Sequence, residues 1–157
     1  MDKLWVDEIR TSPRFSIILC TYNRCNLVLS ALASLRRQTL AYHQFEVIVI
    51  DNGSTDGTLS AVRTYVSAGV QSGRKSEETW QVQCLAEPQN GLAHARHTGL
   101  LAAAGEIAVF LDDDTLADPY FLERLLQAYD ETGRGGAPGI GLDLEARDLG
   151  KTAARSR

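Results

Sequence analysis

Four short apolar segments of the chain have the pattern of β-strands. They span residues 15–20, 45–50, 80–85 and 107–111. The first, second and fourth are almost continuous in apolar and β-branched residues, which is typical of strands buried on both faces of a parallel sheet. The third, WQVQCL, alternates between apolar and polar residues and is therefore predicted to be a more exposed strand.

Segments with helical periodicity lie between and after these strands. The predicted helices span 26–38, 58–66 and 92–104, and a fourth starts at Asp118-Pro119 and ends at Gly133. Asn26 is the expected N-cap of the first helix, and Thr55 or Asp56 that of the second. The polar segment 67–79 is expected to be an exposed loop. The alternation predicts an α/β fold in which helices flank a mostly parallel sheet.

The composition is that of an ordinary globular protein. The 157 residues are 44% hydrophobic and 23% charged, and the net charge of -4 argues against a nucleic-acid partner. We expect one domain at 15–132, an N-terminal extension at 1–14 and an irregular or disordered, glycine-rich tail at 133–157. Short apolar runs, the absence of a signal-peptide pattern and three cysteines outside any CxxC pair favour a cytoplasmic protein.

Polar and acidic residues follow three of the predicted strands. In an open parallel sheet, ligands bind beyond the carboxyl ends of the strands. The segments found there are Thr21-Tyr22-Asn23-Arg24 after the first strand, residues 51–57, which begin with Asp51 and Asn52, after the second, and Asp112-Asp113-Asp114 after the fourth. This placement predicts a ligand site at one edge of the sheet.

The three consecutive aspartates are the strongest single feature. Ionised carboxylates so close together repel one another, and Mg²⁺ or Mn²⁺, which prefers oxygen ligands, relieves that repulsion. On an extended chain Asp112 and Asp114 point to the same side while Asp113 points away. The alternative is a solvated acidic turn that binds nothing.

Asp51 and Arg96 each have two interpretations. Asp51 either closes a turn with the Asn-Gly-Ser that follows it or accepts hydrogen bonds from a base or ribose. Arg96 shares a helix face with Leu92 and Leu100. If that face is buried, the cation needs a carboxylate or a ligand phosphate as its partner. Otherwise Arg96 extends to water at the edge of the helix.

Four sequence motifs carry a resemblance to a known family. SIILCTYNR, VIVIDNGSTDGT, NGLAHARHTGL and VFLDDDTLADPYFLE follow one another in the order and spacing of family 2 glycosyltransferases with the GT-A fold, a Rossmann-like fold. The resemblance covers roughly residues 15–130. It implies transfer of a sugar from a nucleotide diphosphate sugar, most often a UDP-sugar, to an acceptor hydroxyl, usually with inversion and with Mg²⁺ or Mn²⁺. It also implies a glycan or lipid acceptor and peripheral association with the inner face of the membrane.

The resemblance implies a role for each strand-end residue in donor binding. Thr21 and Tyr22 would line the base pocket, and Asp51 matches the carboxylate that reads the base. Arg96 matches the basic residue on the helix that enters the donor site.

The resemblance further identifies the aspartates as a DxD motif. Asp114 would bind the metal that bridges the diphosphate, and Asp112 would contact the ribose or the water shell of the metal. Asp113 is a weaker candidate for a ribose contact, because it should point away unless the chain bends there.

The acceptor-binding half that members of this family carry is not recognisable. No strand-end carboxylate and no Gln-x-x-Arg-Trp motif follows residue 133, so the general base that an inverting transfer needs is not identified. We therefore expect a truncated or frameshifted product that retains donor binding and catalyses little. The sheet edge left open by a missing half is a candidate surface for self-association.

Two other classes of protein compete with this interpretation. A receiver-like, non-catalytic α/β module would bind Mg²⁺ in its acidic pocket without transferring a sugar. A haloacid-dehalogenase-like phosphatase would need a nucleophilic aspartate at position 111, where the sequence has Leu111, which cannot form an aspartyl-phosphate.

Overall fold

The computed structural model describes residues 12–70 and 80–131. The elements, in chain order, are β1 (Phe15–Thr21), α1 (Cys25–Leu35), a 3-10 turn (Tyr42–Gln44), β2 (Phe45–Asp51), α2 (Thr58–Val70), β3 (Gln81–Ala86), α3 (Leu92–Ala102), β4 (Ile107–Asp112) and α4 (Phe121–Glu131). The strands form one sheet in the order β3-β2-β1-β4, and every neighbouring pair is parallel. The predicted α/β class with a parallel sheet is confirmed.

The two faces of the sheet carry different cores because successive side chains of a strand point to opposite faces. On β1, Ile17 and Leu19 belong to the larger core, which includes residues of α1, α2 and α4. Ile18 belongs to the smaller core on the other face, where Ala95 of α3 packs. The central strands β1 and β2 are buried throughout apart from partly buried Cys20, whereas β3 is partly exposed, as its alternating sequence predicted.

Small side chains let α3 lie close to the sheet. A Cβ added to Gly99 would stand 2.5 Å from Cγ2 of Ile18, so a larger residue would push the helix away. Ala95 and Gly99 are the buried residues of α3. On this face the sheet therefore supplies the large apolar side chains of the core, and the helix supplies small ones.

Two helix starts differ from the predictions. Arg24, not Asn26, occupies the N-cap position of α1, and no side chain caps that helix. The last helix begins at Phe121, because Asp118 closes a separate turn before it: its carbonyl accepts a hydrogen bond from the Phe121 amide and its carboxylate one from the Tyr120 amide. At the start of α2, Asp56 accepts a hydrogen bond from the Thr58 amide, as its predicted capping role requires.

The second helix is longer than predicted. The segment 67–79 was expected to be a loop, but α2 continues to Val70, so that prediction is wrong for residues 67–70. The hydroxyl of Ser67 donates a hydrogen bond to the carbonyl of Arg63, one turn earlier, so this polar residue is satisfied within the helix. The rest of the predicted loop lies outside the described residues.

Contacts with the sheet begin before the predicted domain boundary at residue 15. The backbone of Arg14 bonds to Gln44 and Ile107, and its guanidinium forms an ion pair of 2.8 Å with Glu106. Residues 1–11 of the predicted extension and the whole predicted tail at 133–157 lie outside the described residues. None of the helices in the described part of the chain is long and apolar enough to cross a membrane.

Gly105 provides a test of the packing between the α3–β4 turn and β1. A Cβ at this position would lie 2.7 Å from backbone atoms of Phe15 and Ser16. Backbone cannot move aside as a flexible side chain can, so Gly105→Ala is expected to lower the free energy of unfolding by about 1–3 kcal/mol. Urea denaturation measures the change. Ala104→Ser, which adds one atom at the exposed neighbouring position, is the control and should leave stability within about 0.5 kcal/mol of the wild type.

Candidate functional site

The carboxyl ends of β1, β2 and β4 meet at one edge of the sheet. Thr21 of β1 is in register with Asp51 of β2, and Cys20 of β1 with Asp112 of β4. A cavity of about 710 Å³ opens at this edge, between the strand ends and the start of α3. Its volume is within the range of small-molecule sites.

Most of the predicted site residues line this cavity. They are Thr21, Tyr22, Asp112, Asp113 and Asp114. They come from β1, β4 and the segments that directly follow those strands. The predicted residues Asp51 and Arg96 are not part of the lining, although Asn52, the neighbour of Asp51, is.

Asp113 is the buried member of the triple aspartate, with 5% of its surface exposed. Its Oδ2 accepts a hydrogen bond of 2.8 Å from the hydroxyl of Thr21, and its Oδ1 one of 3.1 Å from Nη1 of Arg24. Asp112 and Asp114 are exposed and Asp113 between them is buried, as the strand alternation predicted, although β4 ends at Asp112 and all three residues line the cavity. Both carboxylate oxygens of Asp113 are thus engaged within the protein.

Asp112 and Asp114 are exposed to the cavity and remain accessible to a ligand. Oδ2 of Asp114 lies 3.9 Å from Nη1 of Arg24, a long ion pair in which both side chains are more than half exposed. Within residues 12–70 and 80–131, no three His, Cys, Asp or Glu side chains form a ready-made metal cage. Two accessible carboxylates nevertheless fit Mg²⁺ or Mn²⁺ chemistry, because Mg²⁺ at phosphate sites typically uses one or two carboxylates together with substrate phosphates.

Asp51 closes the turn after β2, which is the first of its two predicted interpretations. It is 3% exposed, and its Oδ2 accepts a hydrogen bond of 3.1 Å from the amide of Ser54, which closes the turn after β2. Its Oδ1 is buried and has no hydrogen-bond partner among the described residues. A buried acceptor without a donor is costly, and a ligand N–H group could satisfy this oxygen only if the atoms that cover it moved aside, because Asp51 is not part of the cavity lining.

Arg96 does not lie on a buried helix face. Leu92 and Leu100 are 54% and 47% exposed, so the premise that this face packs on the core is wrong. The guanidinium of Arg96 lies over the ring of Phe110, 5.3 Å from its centroid. This cation–π contact gives the arginine a partner that the helical pattern could not reveal.

Asn52 joins two segments that form the cavity wall. Its Nδ2 donates hydrogen bonds to the carbonyls of Glu87 (3.2 Å) and Gln89 (2.7 Å), and its Oδ1 accepts one of 2.9 Å from the amide of Gly91. Gly91 is the N-cap of α3 and has φ of 132°, a conformation that favours glycine. Asn52 therefore fixes the start of α3 at the cavity.

Sequence reasoning missed Asn52 and Arg24 as site residues. Asn52 was interpreted as turn chemistry, and its partners lie 35 to 39 residues further along the chain. Arg24 has a local signal, since it lies two residues after Tyr22 in the polar segment at the end of β1.

The thiol of Cys20 also lines the cavity. Burial raises the pKa of Cys20 to about 11, against a smaller opposing effect of the Arg96 cation. The thiol is therefore uncharged at neutral pH and is not an activated nucleophile.

Comparison with protein families and characterised relatives identifies similar sequences. The family described as Glycosyl transferase family 2 matches residues 16–141. Validoxylamine A glucosyltransferase of Streptomyces hygroscopicus subsp. jinggangensis is 34% identical over 119 residues, which are 74% of this chain and 26% of that enzyme. Glycosyltransferase AglE of Haloferax volcanii is 31% identical over 123 residues, which are 78% of this chain and 38% of AglE.

Solved structures show the same arrangement of strands and helices. TarS residues 1–349 of S. aureus in complex with UDP matches with a TM-score of 0.64 and 29% identity, over 75% of this chain and 32% of that one. The mannosyltransferase PcManGT of Pyrobaculum calidifontis, in complex with GDP-Man and Mn²⁺, matches with a TM-score of 0.64 and 31% identity, over 80% and 34%. The fold is that of the GT-A transferases. The chain spans about a third or less of the length of most of these relatives.

The bridge made by Asn52 is expected to stabilise the cavity wall. Asn52→Ala removes two donors and one acceptor, and leaves the amide of Gly91 without its partner. We expect the free energy of unfolding to fall by about 1–2 kcal/mol, as measured by urea denaturation. Asn26→Ala is the control, because Asn26 is exposed in the first turn of α1. Equal stabilities of the two variants would show that the bridge contributes nothing.

Proposed function

The chain belongs to glycosyl transferase family 2, and from that premise we propose that its cavity binds a nucleotide diphosphate sugar, whose sugar is transferred to an acceptor hydroxyl. The observation that carries this proposal is the pair of exposed carboxylates, Asp112 and Asp114, in a cavity at the carboxyl edge of a parallel sheet. Ligands of open α/β sheets bind at that edge.

The nucleoside is proposed to bind beside β1 and β2. The buried, unpartnered Oδ1 of Asp51 would accept an N–H group of the base. Tyr22 is 55% exposed beside Thr21, and its ring offers a flat surface for contact with the base. The relatives TarS and PcManGT bind UDP and GDP-Man respectively. Because their nucleotides carry different bases, the experiments below use both UDP and GDP.

The diphosphate is proposed to lie at the end of β4. Asp114 would bind a Mg²⁺ or Mn²⁺ ion, and Asp112 would contact the ribose or a water of that ion. When bound, such a cation offsets the negative charge that the leaving diphosphate gains during transfer. Arg96 was proposed from the sequence as a further donor contact. In this structure its guanidinium lies over Phe110, so that role would require its side chain to leave the ring.

Transfer also needs a base that accepts the proton of the acceptor hydroxyl. We assign no residue to that role, and we propose donor binding as the function that this chain carries itself.

The acceptor is proposed to be a glycan or a lipid, with inversion at the anomeric carbon. The site of action is proposed to be the cytoplasmic side of a membrane. A module that binds a cation without a nucleotide is the competing function.

Asp114 is the residue on which metal-dependent binding should depend. We expect UDP or GDP to raise the melting temperature of the wild type when Mn²⁺ is present, and to raise it less without Mn²⁺. Asp114→Asn removes the negative charge of the proposed metal ligand. We expect the apparent affinity for the nucleotide in the presence of Mn²⁺ to fall by about 100-fold. Glu123→Gln, the same loss of charge at an exposed position of α4, should bind as the wild type does.

Two outcomes would contradict this proposal. A response of the wild type to Mn²⁺ that is the same with and without nucleotide would favour the module that binds only a cation. Nucleotide binding that is equal in the wild type and in Asp114→Asn would exclude Asp114 as the metal ligand.

Asp51 should separate base recognition from stability. Asn at this position can still accept the hydrogen bond from the Ser54 amide, but it has no second carboxylate oxygen to accept a hydrogen bond from the base. Because a buried charge is removed, we expect Asp51→Asn to keep or slightly raise the free energy of unfolding. We expect the affinity for UDP or GDP to fall about tenfold or more. Calorimetry measures both nucleotides, and pyrophosphate with Mn²⁺, which has no base, should bind unchanged.

A further inference from the structure

The cavity lining carries more acidic than basic side chains, which is unfavourable for a diphosphate ligand. The ionised side chains that line it are those of Asp112, Asp113, Asp114 and Arg24. A diphosphate brings further negative charge into the same space, where carboxylates repel it. Among the described residues that line the cavity, Arg24 is the only cationic one, because Arg96 lies over Phe110 instead.

Arg24 is held by the protein and still faces solvent. Its Nη1 lies 3.1 Å from Oδ1 of Asp113, whose side chain is only 7% exposed, while the side chain of Arg24 is 53% exposed. The other oxygen of Asp113 is bonded to Thr21, so the carboxylate that anchors the guanidinium is itself fixed. A guanidinium has five N–H donors, and a contact through one terminal nitrogen leaves others for a second anion.

The contact between Arg24 and Asp114 is weaker than that with Asp113. At 3.9 Å it exceeds hydrogen-bond distance, and Asp114 is 57% exposed. A divalent cation bound to Asp114 would repel the guanidinium from this carboxylate. The buried Asp113 would then retain Arg24 beside the cation, where a phosphate oxygen could contact both.

We propose that Arg24 is a diphosphate-binding residue, that Asp113 positions it, and that Asp114 exchanges Arg24 for the cation when the donor binds. This inference rests on the proposed function, and it identifies Arg24 as the cationic side chain that contacts the diphosphate of the donor. Arginine suits this role because its planar donor group matches two phosphate oxygens at once.

The test compares ligands that differ only in the diphosphate. Calorimetry of the 157-residue chain with Mn²⁺ measures UDP against uridine, and GDP against guanosine. The comparison uses whichever of UDP and GDP the wild type binds more tightly. We expect Arg24→Gln to bind that diphosphate about tenfold more weakly than the wild type does, and to bind the corresponding nucleoside equally well. Arg24→Lys keeps the positive charge but lacks the planar guanidinium. Its affinity for the diphosphate should lie between those of the wild type and Arg24→Gln. Arg63→Gln, an exposed arginine of α2 outside the cavity, is the matched control.

Asp113→Asn tests the positioning part of the inference. It weakens the anchor of Arg24. Because both oxygens of Asp113 already bond within the protein, this role predicts that diphosphate affinity falls while nucleoside affinity stays, whereas a ribose contact by Asp113 would lower both. An equal loss for diphosphate and nucleoside would instead indicate general damage to the cavity and would overturn the positioning role.

The outcomes separate this inference from the function beneath it. If the wild type binds neither UDP nor GDP with Mn²⁺, the proposed function fails, and the role of Arg24 fails with it. If the wild type binds and Arg24→Gln binds equally well, the role of Arg24 alone is refuted. If Arg24→Gln does not fold, as judged by its melting transition, the comparison of Arg24→Lys with the wild type decides.

Discussion

The parallel pairing of β1 with both β2 and β4 is the constraint on which the candidate site depends. Because these three strands run in the same direction, the polar segments that follow them emerge at one edge of the sheet. An antiparallel β4 would carry Asp112 to the opposite edge, away from Asp51. The apolar interiors of the strands therefore do more than stabilise the sheet: they bring residues from three distant parts of the sequence around one cavity.

The three aspartates at the end of β4 have different environments. Asp113 is buried and bonded to Thr21 and Arg24, which makes it a structural anchor. Asp112 and Asp114 are exposed and can exchange water for a ligand. The guanidinium of Arg24 offsets part of the charge of the buried carboxylate, and both oxygens of that carboxylate have hydrogen-bond donors. The acidic cavity is therefore compatible with a folded chain before any cation binds.

The sequence predicted what local patterns determine. Continuous apolar runs identified β1, β2 and β4, and the strand ends identified most of the lining. The sequence could not predict contacts between distant parts of the chain or contacts that depend on packing distance. Strand alternation correctly placed Asp113 on the other side from Asp112 and Asp114, but not its bonds to Thr21 and Arg24, which lie 92 and 89 residues away. Arg96 was misplaced because the helical pattern favoured large apolar residues for the core face, whereas α3 packs so close to Ile18 that Ala95 and Gly99 are the residues that fit.

The cavity is built from one stretch of the chain, whereas the sugar transfer proposed for it also needs an acceptor and a base. The strand ends, the start of α3 and the turn after β4 all lie within residues 20–114. Their geometry is fixed by the sheet and by bridges such as that of Asn52, without a contribution from the acceptor. The proposed donor binding is thus physically separable from transfer. It can be tested on this chain even though the matched relatives are about two to three times as long. A binding result would consequently bear on the cavity itself and would be independent of which acceptor the family member uses.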